Sequence, residues 1–235
     1  YLNIQMINYE VRKIPCKIGR QYIIENHYSH GCHNAPNCYG LFDNDELIGV
    51  CAFACPCSEN VRSSVFGKEH KDAVTELHRL HIKDVTPKNT ESWFISRCLK
   101  LLQIDKPNIK AVISFADPAF GHKGTIYQAT NAYFCGKSGN AVFYVDENGK
   151  LHHPRNNGHN ITKQEAENNG WKPIKCEGKY RYLYILGKDK REHKFLIKNC
   201  FYTIYSLNKI DNNISLISAI FTGITLQKSA KATST

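Results

Sequence analysis

The sequence predicts an α/β fold, a mixed central sheet flanked by helices with a small C-terminal extension, on three observations. Strand-like and helix-like stretches alternate between Glu76 and Tyr133: residues 77–82 read as strand, 86–92 lead into a helix, and 111–117 read as a second strand before 121–131. The helix between those strands carries Phe94, Cys98, Leu101 and Leu102 at helical spacing. Ile95 and Leu99 widen that apolar face, as a helix packed on a sheet requires. Polar and ionisable residues then gather where both strands end, which is where open α/β sheets place their ligands.

The remaining elements follow in order. Residues 2–9 predict a first strand, and 17–27 a short helix with Ile18, Tyr22 and Ile23 on one face. Asn26-His-Tyr-Ser-His-Gly-Cys-His33 is dense in ligands and nucleophiles. Residues 39–45 and 46–53 bracket an Asn-Asp turn and read as a hairpin. Residues 59–71 are polar and suit a short helix and loop. Asn89 can cap the central helix, and Glu91 suits the positive end of its dipole.

Past Tyr133 a second hairpin signal appears, 141–145 and 150–152 around Asp-Glu-Asn-Gly. Thr162 and Glu165 form a capping box for a helix over 163–169, closed by Gly170. Residues 179–186 alternate strictly and predict a half-buried strand. Lys179, Arg181, Leu183 and Ile185 fall on one face, with Tyr180, Tyr182 and Tyr184 on the other. Residues 188–194 are a charge run that suits solvated surface. The expected organisation is one domain over 1–190, with a basic part at 139–186 suited to DNA, and an extension over 191–235.

At 235 residues the chain can bury a sizeable core, and 42% hydrophobic and 22% charged residues are ordinary for a soluble globular protein. The formal charge of +10 is not ordinary and suggests a polyanionic partner, most simply nucleic acid. Ten cysteines raise the idea of a disulfide scaffold, but Cys51, Cys98 and Cys135 sit in apolar runs, where free cysteine behaves as a small hydrophobe. No secretory leader opens the sequence, although its start at Tyr1 leaves room for an upstream piece. No apolar run is long enough to span a bilayer. A reducing cytoplasm is therefore the expected setting.

The order strand, helix, hairpin, long strand, helix, strand, helix, strand resembles the GNAT acyltransferase fold. That fold normally holds the coenzyme A pyrophosphate on a glycine-rich loop at the helix start. Here the loop is Val85-Thr-Pro-Lys-Asn-Thr-Glu-Ser-Trp93, with no glycine. Glu91 places a negative charge where the diphosphate would sit, and two anions there repel. Ordinary use of acetyl-CoA is thus not expected. The stretches Leu77-His-Arg-Leu, Asn89-Thr-Glu-Ser-Trp-Phe-Ile, Ser114-Phe-Ala-Asp-Pro and Gly121-His-Lys-Gly-Thr-Ile-Tyr-Gln-Ala-Thr-Asn are similar to the phage Mom family, as are His27-Tyr-Ser-His30 and Lys179-Tyr-Arg-Tyr. The resemblance spans residues 24–186. It implies a GNAT-like transferase converting adenine in double-stranded DNA to its carbamoylmethyl derivative at the exocyclic amine, which protects phage DNA from restriction. Two other readings stay open: an acyl- or aminoacyltransferase acting on a small molecule, protein or tRNA, and a non-catalytic DNA-binding protein.

Such chemistry needs a group to orient or deprotonate a weakly nucleophilic amine, donors for developing charge, and a base drawn out of the duplex. Asp117, just before Pro118, is the candidate base or amine acceptor, with capping of the next turn as its plainer role. Tyr127 is a candidate acid, stacking surface, metal ligand or packing group. Glu91 and Ser92 complete the catalytic set. Asn89, Thr90, Ser92 and His122 are candidates for holding an unidentified small-molecule or carrier donor. His27 and His30, three apart, share a face if the helix continues, and with Tyr28 they could bind a metal. The family resemblance implies iron. A zinc on Cys32, His33 and Cys38 is the rival, at a spacing that fits no standard zinc pattern. Arg155, Lys163, Lys172, Lys175, Lys179 and Arg181 are candidate DNA contacts, with Trp171 and Tyr182 for stacking.

Overall fold

A computed structural model describes residues 9–56, 58–152, 154–156 and 159–204. A seven-stranded sheet in the order β1-β2-β3-β4-β5-β12-β6 forms its centre. The first strand, β1 (Tyr9–Ile14), lies later than expected. Residues 2–8 fall outside the described residues. Helix α1 (Cys16–Asn26) follows, then the expected hairpin of β2 (Asn37–Asp43) and β3 (Glu46–Ala54). Its turn places Asn44 at φ 54°, a left-handed conformation that asparagine tolerates. Helix α2 (Glu59–Phe66) and a 3-10 turn over Lys68–Ala73 lead to β4 (Val74–Ile82).

Helix α3 (Thr90–Asp105) buries Phe94, Ile95, Cys98, Leu99 and Leu102, the stripe legible in the sequence. Its start differs from expectation. Asn89 stands at the cap position with φ 71°, and its side chain makes no capping hydrogen bond. A turn ahead of the helix takes over: the Thr90 amide and hydroxyl both donate to the Pro87 carbonyl, at 3.2 and 2.6 Å. β5 (Ala111–Ala116) and α4 (Thr125–Ala129) then flank a short 3-10 turn over Pro118–Phe120.

β6 (Tyr133–Lys137) closes one edge of the large sheet. The chain then leaves it for a three-stranded sheet in the order β11-β7-β8, built from β7 (Ala141–Val145), β8 (Leu151–His152) and β11 (Lys172–Cys176). A two-stranded ribbon of β9 (Arg155–Asn156) and β10 (His159–Asn160) lies between them in sequence. Helix α5 (Lys163–Asn168) starts with the expected Thr162–Glu165 capping box. Strands β6 and β11 were not expected. β11 reads Lys-Pro-Ile-Lys-Cys, and Pro173 is tolerated because β11 pairs on one side only, with β7.

β12 (Tyr180–Ile185) returns to insert between β5 and β6, antiparallel to both. It is covered on both faces rather than one: Tyr182, Leu183, Tyr184 and Ile185 are all buried. On one face Leu183 and Ile185 join Val65, Val74, Ala111 and Ile113 in a core that Leu196 of α6 (Lys190–Lys198) completes, with Ile197, Cys200, Tyr202 and Ile204 packed against it. On the other face α3 is tied to the sheet by the Tyr39 hydroxyl, which donates to Asp105 at 3.0 Å. Among the described residues every cysteine is a free thiol. No helix among them is long and apolar enough to cross a membrane.

Candidate active site

Five of the sheet's six neighbouring strand pairs are antiparallel, and one, β4 with β5, is parallel. That parallel pairing covers only Val74–Glu76 against Ala111–Ile113, although β4 runs on to Ile82 and β5 to Ala116. Beyond it the two strands part, so a split opens at their C-terminal ends. Asp117 stands at the end of β5 on one side of it. The loop of residues 27–33 is tied to β4 on the other by Arg79. Its Nε donates to Ser29 Oγ at 3.1 Å and to the Gly31 carbonyl at 3.0 Å.

Asp117 takes the plainer of its two expected roles, capping the next turn. One carboxylate oxygen caps the following turn by accepting the Ala119 amide at 3.0 Å, and the other lies 3.1 Å from Lys179 Nζ. The pair sets an acceptor and a cation side by side at the mouth of the split. Lys179, a candidate DNA contact, is thus paired with Asp117. Arg181 is also placed elsewhere: its guanidinium lies over the Tyr202 ring, 4.5 Å from the centroid.

Tyr127, in α4, packs its ring 5.4 Å from that of Tyr182. Burial pushes its hydroxyl up to about 12, partly opposed by the nearby Ser114 hydroxyl, so the phenol is protonated at neutral pH. Tyr182 is only 2% exposed and cannot stack on nucleic acid. Its hydroxyl instead donates to the Lys123 carbonyl at 2.6 Å and accepts Gln128 Nε2 at 2.9 Å. Tyr184 pairs with Thr130 through their hydroxyls. These two tyrosines anchor the loop and helix that present Tyr127.

Helix α1 ends at Asn26, so the premise that puts His27 and His30 on one helical face fails. His27 is buried and its Nδ1 accepts the Ser29 amide at 3.1 Å, with Ser29 Oγ at 2.8 Å. Burial first, then the Arg79 charge and the neighbouring His81, His78 and His122, lower it to about 4, which keeps the ring neutral at pH 7. His30 adopts φ 45° and its Nδ1 donates to the Ile24 carbonyl at 3.0 Å. Both Nδ1 atoms are thus committed to local hydrogen bonds. The zinc alternative also fails, since among the described residues no three His, Cys, Asp or Glu side chains are grouped to hold an ion.

Tyr28 does join the site. Its ring lies 4.3 Å from His27, 5.8 Å from Phe120 and 5.7 Å from His122. Partial desolvation holds its hydroxyl above its ordinary range; Arg79 opposes that shift and Asp117 adds to it. Asp117, Tyr127, Tyr28, His27 and His122 thus form one group. Glu91 does stand in the first turn of α3, as expected, and Ser92 donates its hydroxyl to the Asn89 carbonyl at 3.0 Å. Thr90 is fully buried, which removes it from any donor-binding surface.

Among the basic candidates, Lys163, Lys172 and Lys175 are exposed on α5 and β11. The side chain of Arg155 lies outside the described residues. Trp171 stacks on His152 at 4.0 Å and 10°, while His152 Nε2 meets Asp146 at 2.9 Å, so this indole is occupied within the small sheet. Sequence reasoning missed Arg79, Phe120 and the true place of Lys179. Arg79 and Lys179 were within motif stretches already singled out. Nothing local marks Phe120 beyond its position three residues after Asp117.

The chain matches a family model described as the Mom protein family over residues 8–202. It is 29% identical over 196 residues to a protein named methylcarbamoylase mom from Escherichia phage Mu, covering 77% of each chain. Among solved structures it is similar to an N-acetyltransferase from Staphylococcus aureus Mu50, at 12% identity and TM-score 0.42, covering 77% of this chain and 99% of that one. A ribosomal-protein-S5-alanine acetyltransferase from Vibrio fischeri gives 11% identity and TM-score 0.44, over 79% and 97%.

Proposed function

The chain belongs to the Mom protein family, and from that premise we propose that it is a transferase that converts adenine in DNA to its carbamoylmethyl derivative at the exocyclic amine. The observation that carries the reading is the Asp117 carboxylate at the mouth of the β4–β5 split, with Lys179 at 3.1 Å and Tyr127 in the same group. In the reaction the amine nitrogen exchanges one N–H for an N–C bond. Asp117 accepts that N–H, which orients the nitrogen lone pair toward the electrophile and gives the released proton a first acceptor. Tyr127, protonated at neutral pH, supplies a donor for the group that leaves the donor molecule.

A donor with a diphosphate head is disfavoured by Glu91 in the first turn of α3, which opposes a second anion there. The duplex itself is held through phosphates by Lys163, Lys172 and Lys175 on the small sheet and α5, and modified adenine protects the DNA from restriction endonucleases. Expression in a bacterial host, digestion of host DNA to nucleosides and mass measurement test this. The expected result is an adenosine heavier by a carbamoylmethyl group, lost with Asp117→Asn while DNA binding persists. Unchanged modification by a folded Asp117→Asn variant would remove this residue from the chemistry. Unmodified DNA from the wild-type chain in a host with ordinary metabolites would count against the substrate itself.

A further inference from the structure

The group around Asp117 has a surface that the chemistry above does not use. Phe120 is 46% exposed and Tyr28 60% exposed, their ring centroids are 5.8 Å apart, and the exposed His122 lies 5.7 Å from Tyr28. Single apolar side chains on a surface are ordinary, but three rings together at the mouth of a polar site are not scattered exposure. The rings and the carboxylate also share one frame. The Phe120 and His122 amides both donate to the Asp117 carbonyl, at 3.2 and 3.1 Å, and the Ala119 amide donates to its side chain at 3.0 Å. The backbone that carries the Phe120 ring is therefore held to Asp117 by the turn over Pro118–Phe120.

We infer that Phe120, backed by Tyr28, is the stacking surface for the extruded adenine, with Asp117 taking the exocyclic N–H at the edge of the stacked ring. This rests on the reading of adenine in DNA as substrate. Two features select an unstacked nucleotide as the occupant. The rings are already in contact with one another, so a ligand lies over their exposed face rather than between them, as a purine does on an aromatic shelf. The charge beside the shelf is also complementary to a nucleotide: the exposed Lys123, three residues after Phe120, is a cation for a flanking phosphate. Removing the base from the duplex costs its stacking there, and a shelf next to the reacting group returns part of that.

Three variants test this in the full chain. Phe120→Ala is expected to lower the modified adenosine in host DNA by about ten- to a hundredfold. Its duplex binding, measured across salt, should stay within about twofold, because phosphate contacts set that affinity. Phe120→Trp should retain modification. After subtraction of wild-type emission from Trp93 and Trp171, its fluorescence should be quenched by a thymine strand containing one adenine, and much less by the same strand with an abasic site there. Phe120→Leu, which keeps the apolar bulk without the π face, should fall between Phe120→Ala and wild type. Wild-type modification by Phe120→Ala, or equal quenching by the adenine and abasic strands, would overturn the inference. If the wild-type chain modifies no adenosine, the substrate reading fails on its own terms, and the quenching contrast still decides whether a base stacks at Phe120.

Discussion

At residue scale the site is governed by which groups stay neutral. The Tyr127 phenol, at about 12, is a donor at every physiological pH, which fits it to protonate rather than deprotonate. His27 is the opposite case: a base lowered from 6.5 to about 4, chiefly by burial and then by Arg79. Between those values the unfolded chain binds a proton that the folded chain refuses, so stability rises with pH across the window. The contribution is fully present above about pH 6.5 and is lost as pH falls toward 4. His27→Gln should flatten the fall in unfolding free energy between pH 6.5 and 4 by up to about 3 kcal/mol, a ceiling set by the full shift. Denaturant melts at several pH values would read this, and equal slopes for variant and wild type would mean that His27 protonates freely in the fold.

At the scale of elements, the segment over residues 121–131 depends on glycine at one point more than another. Gly124 has φ 74°, and a Cβ there would sit 2.2 Å from the Tyr182 ring, which is buried and held by Lys123 and Gln128. Gly121 has the same φ but nothing within 4 Å of such a Cβ. Gly121→Ala should therefore cost only backbone strain, about 1 kcal/mol, whereas Gly124→Ala should cost at least about 2 kcal/mol more and displace Tyr127. Thermal melting of the two variants separates strain from packing. Equal losses would show that the Tyr182 ring yields. This contrast also shows what the sequence could and could not reveal. The apolar stripe of α3, the β2–β3 hairpin and the Thr162–Glu165 box were legible because each is fixed by neighbours within a few residues. Tyr182 and Tyr184 were read as one face of a half-exposed strand, because alternation marks two faces and says nothing about which are covered. Only the insertion of β12 between β5 and β6, a long-range event, buries them. The shared helical face of His27 and His30 failed for a similar reason, since periodicity did not show that α1 stops at Asn26.

For the whole molecule, the charge of +10 argues for a polyanion, but the fold divides the cations among different tasks. Lys179 is committed to Asp117 at 3.1 Å and Arg181 to the Tyr202 ring, so both are removed from the simple phosphate-contact list. Lys163, Lys172 and Lys175 remain exposed on α5 and β11, a small sheet separate from the seven-stranded one, and Lys163 has only an exposed partner in Glu167 at 3.6 Å. An exposed pair of that kind holds a lysine weakly and leaves it available for exchange with a phosphate. Each phosphate contact releases counterions, which gives the logarithm of affinity a slope against the logarithm of salt of about 0.9 per contact. Replacing Lys163, Lys172 and Lys175 by alanine should thus flatten the slope for duplex binding by about 2 to 3. Lys179→Ala should leave that slope nearly unchanged while depressing modification of host DNA, because it strips the cation from beside the acceptor. Binding isotherms between low and moderate salt, with nucleoside masses from the same variants, separate the two tasks. A slope that falls with Lys179→Ala but not with the triple variant would move the duplex from the small sheet to the mouth of the split.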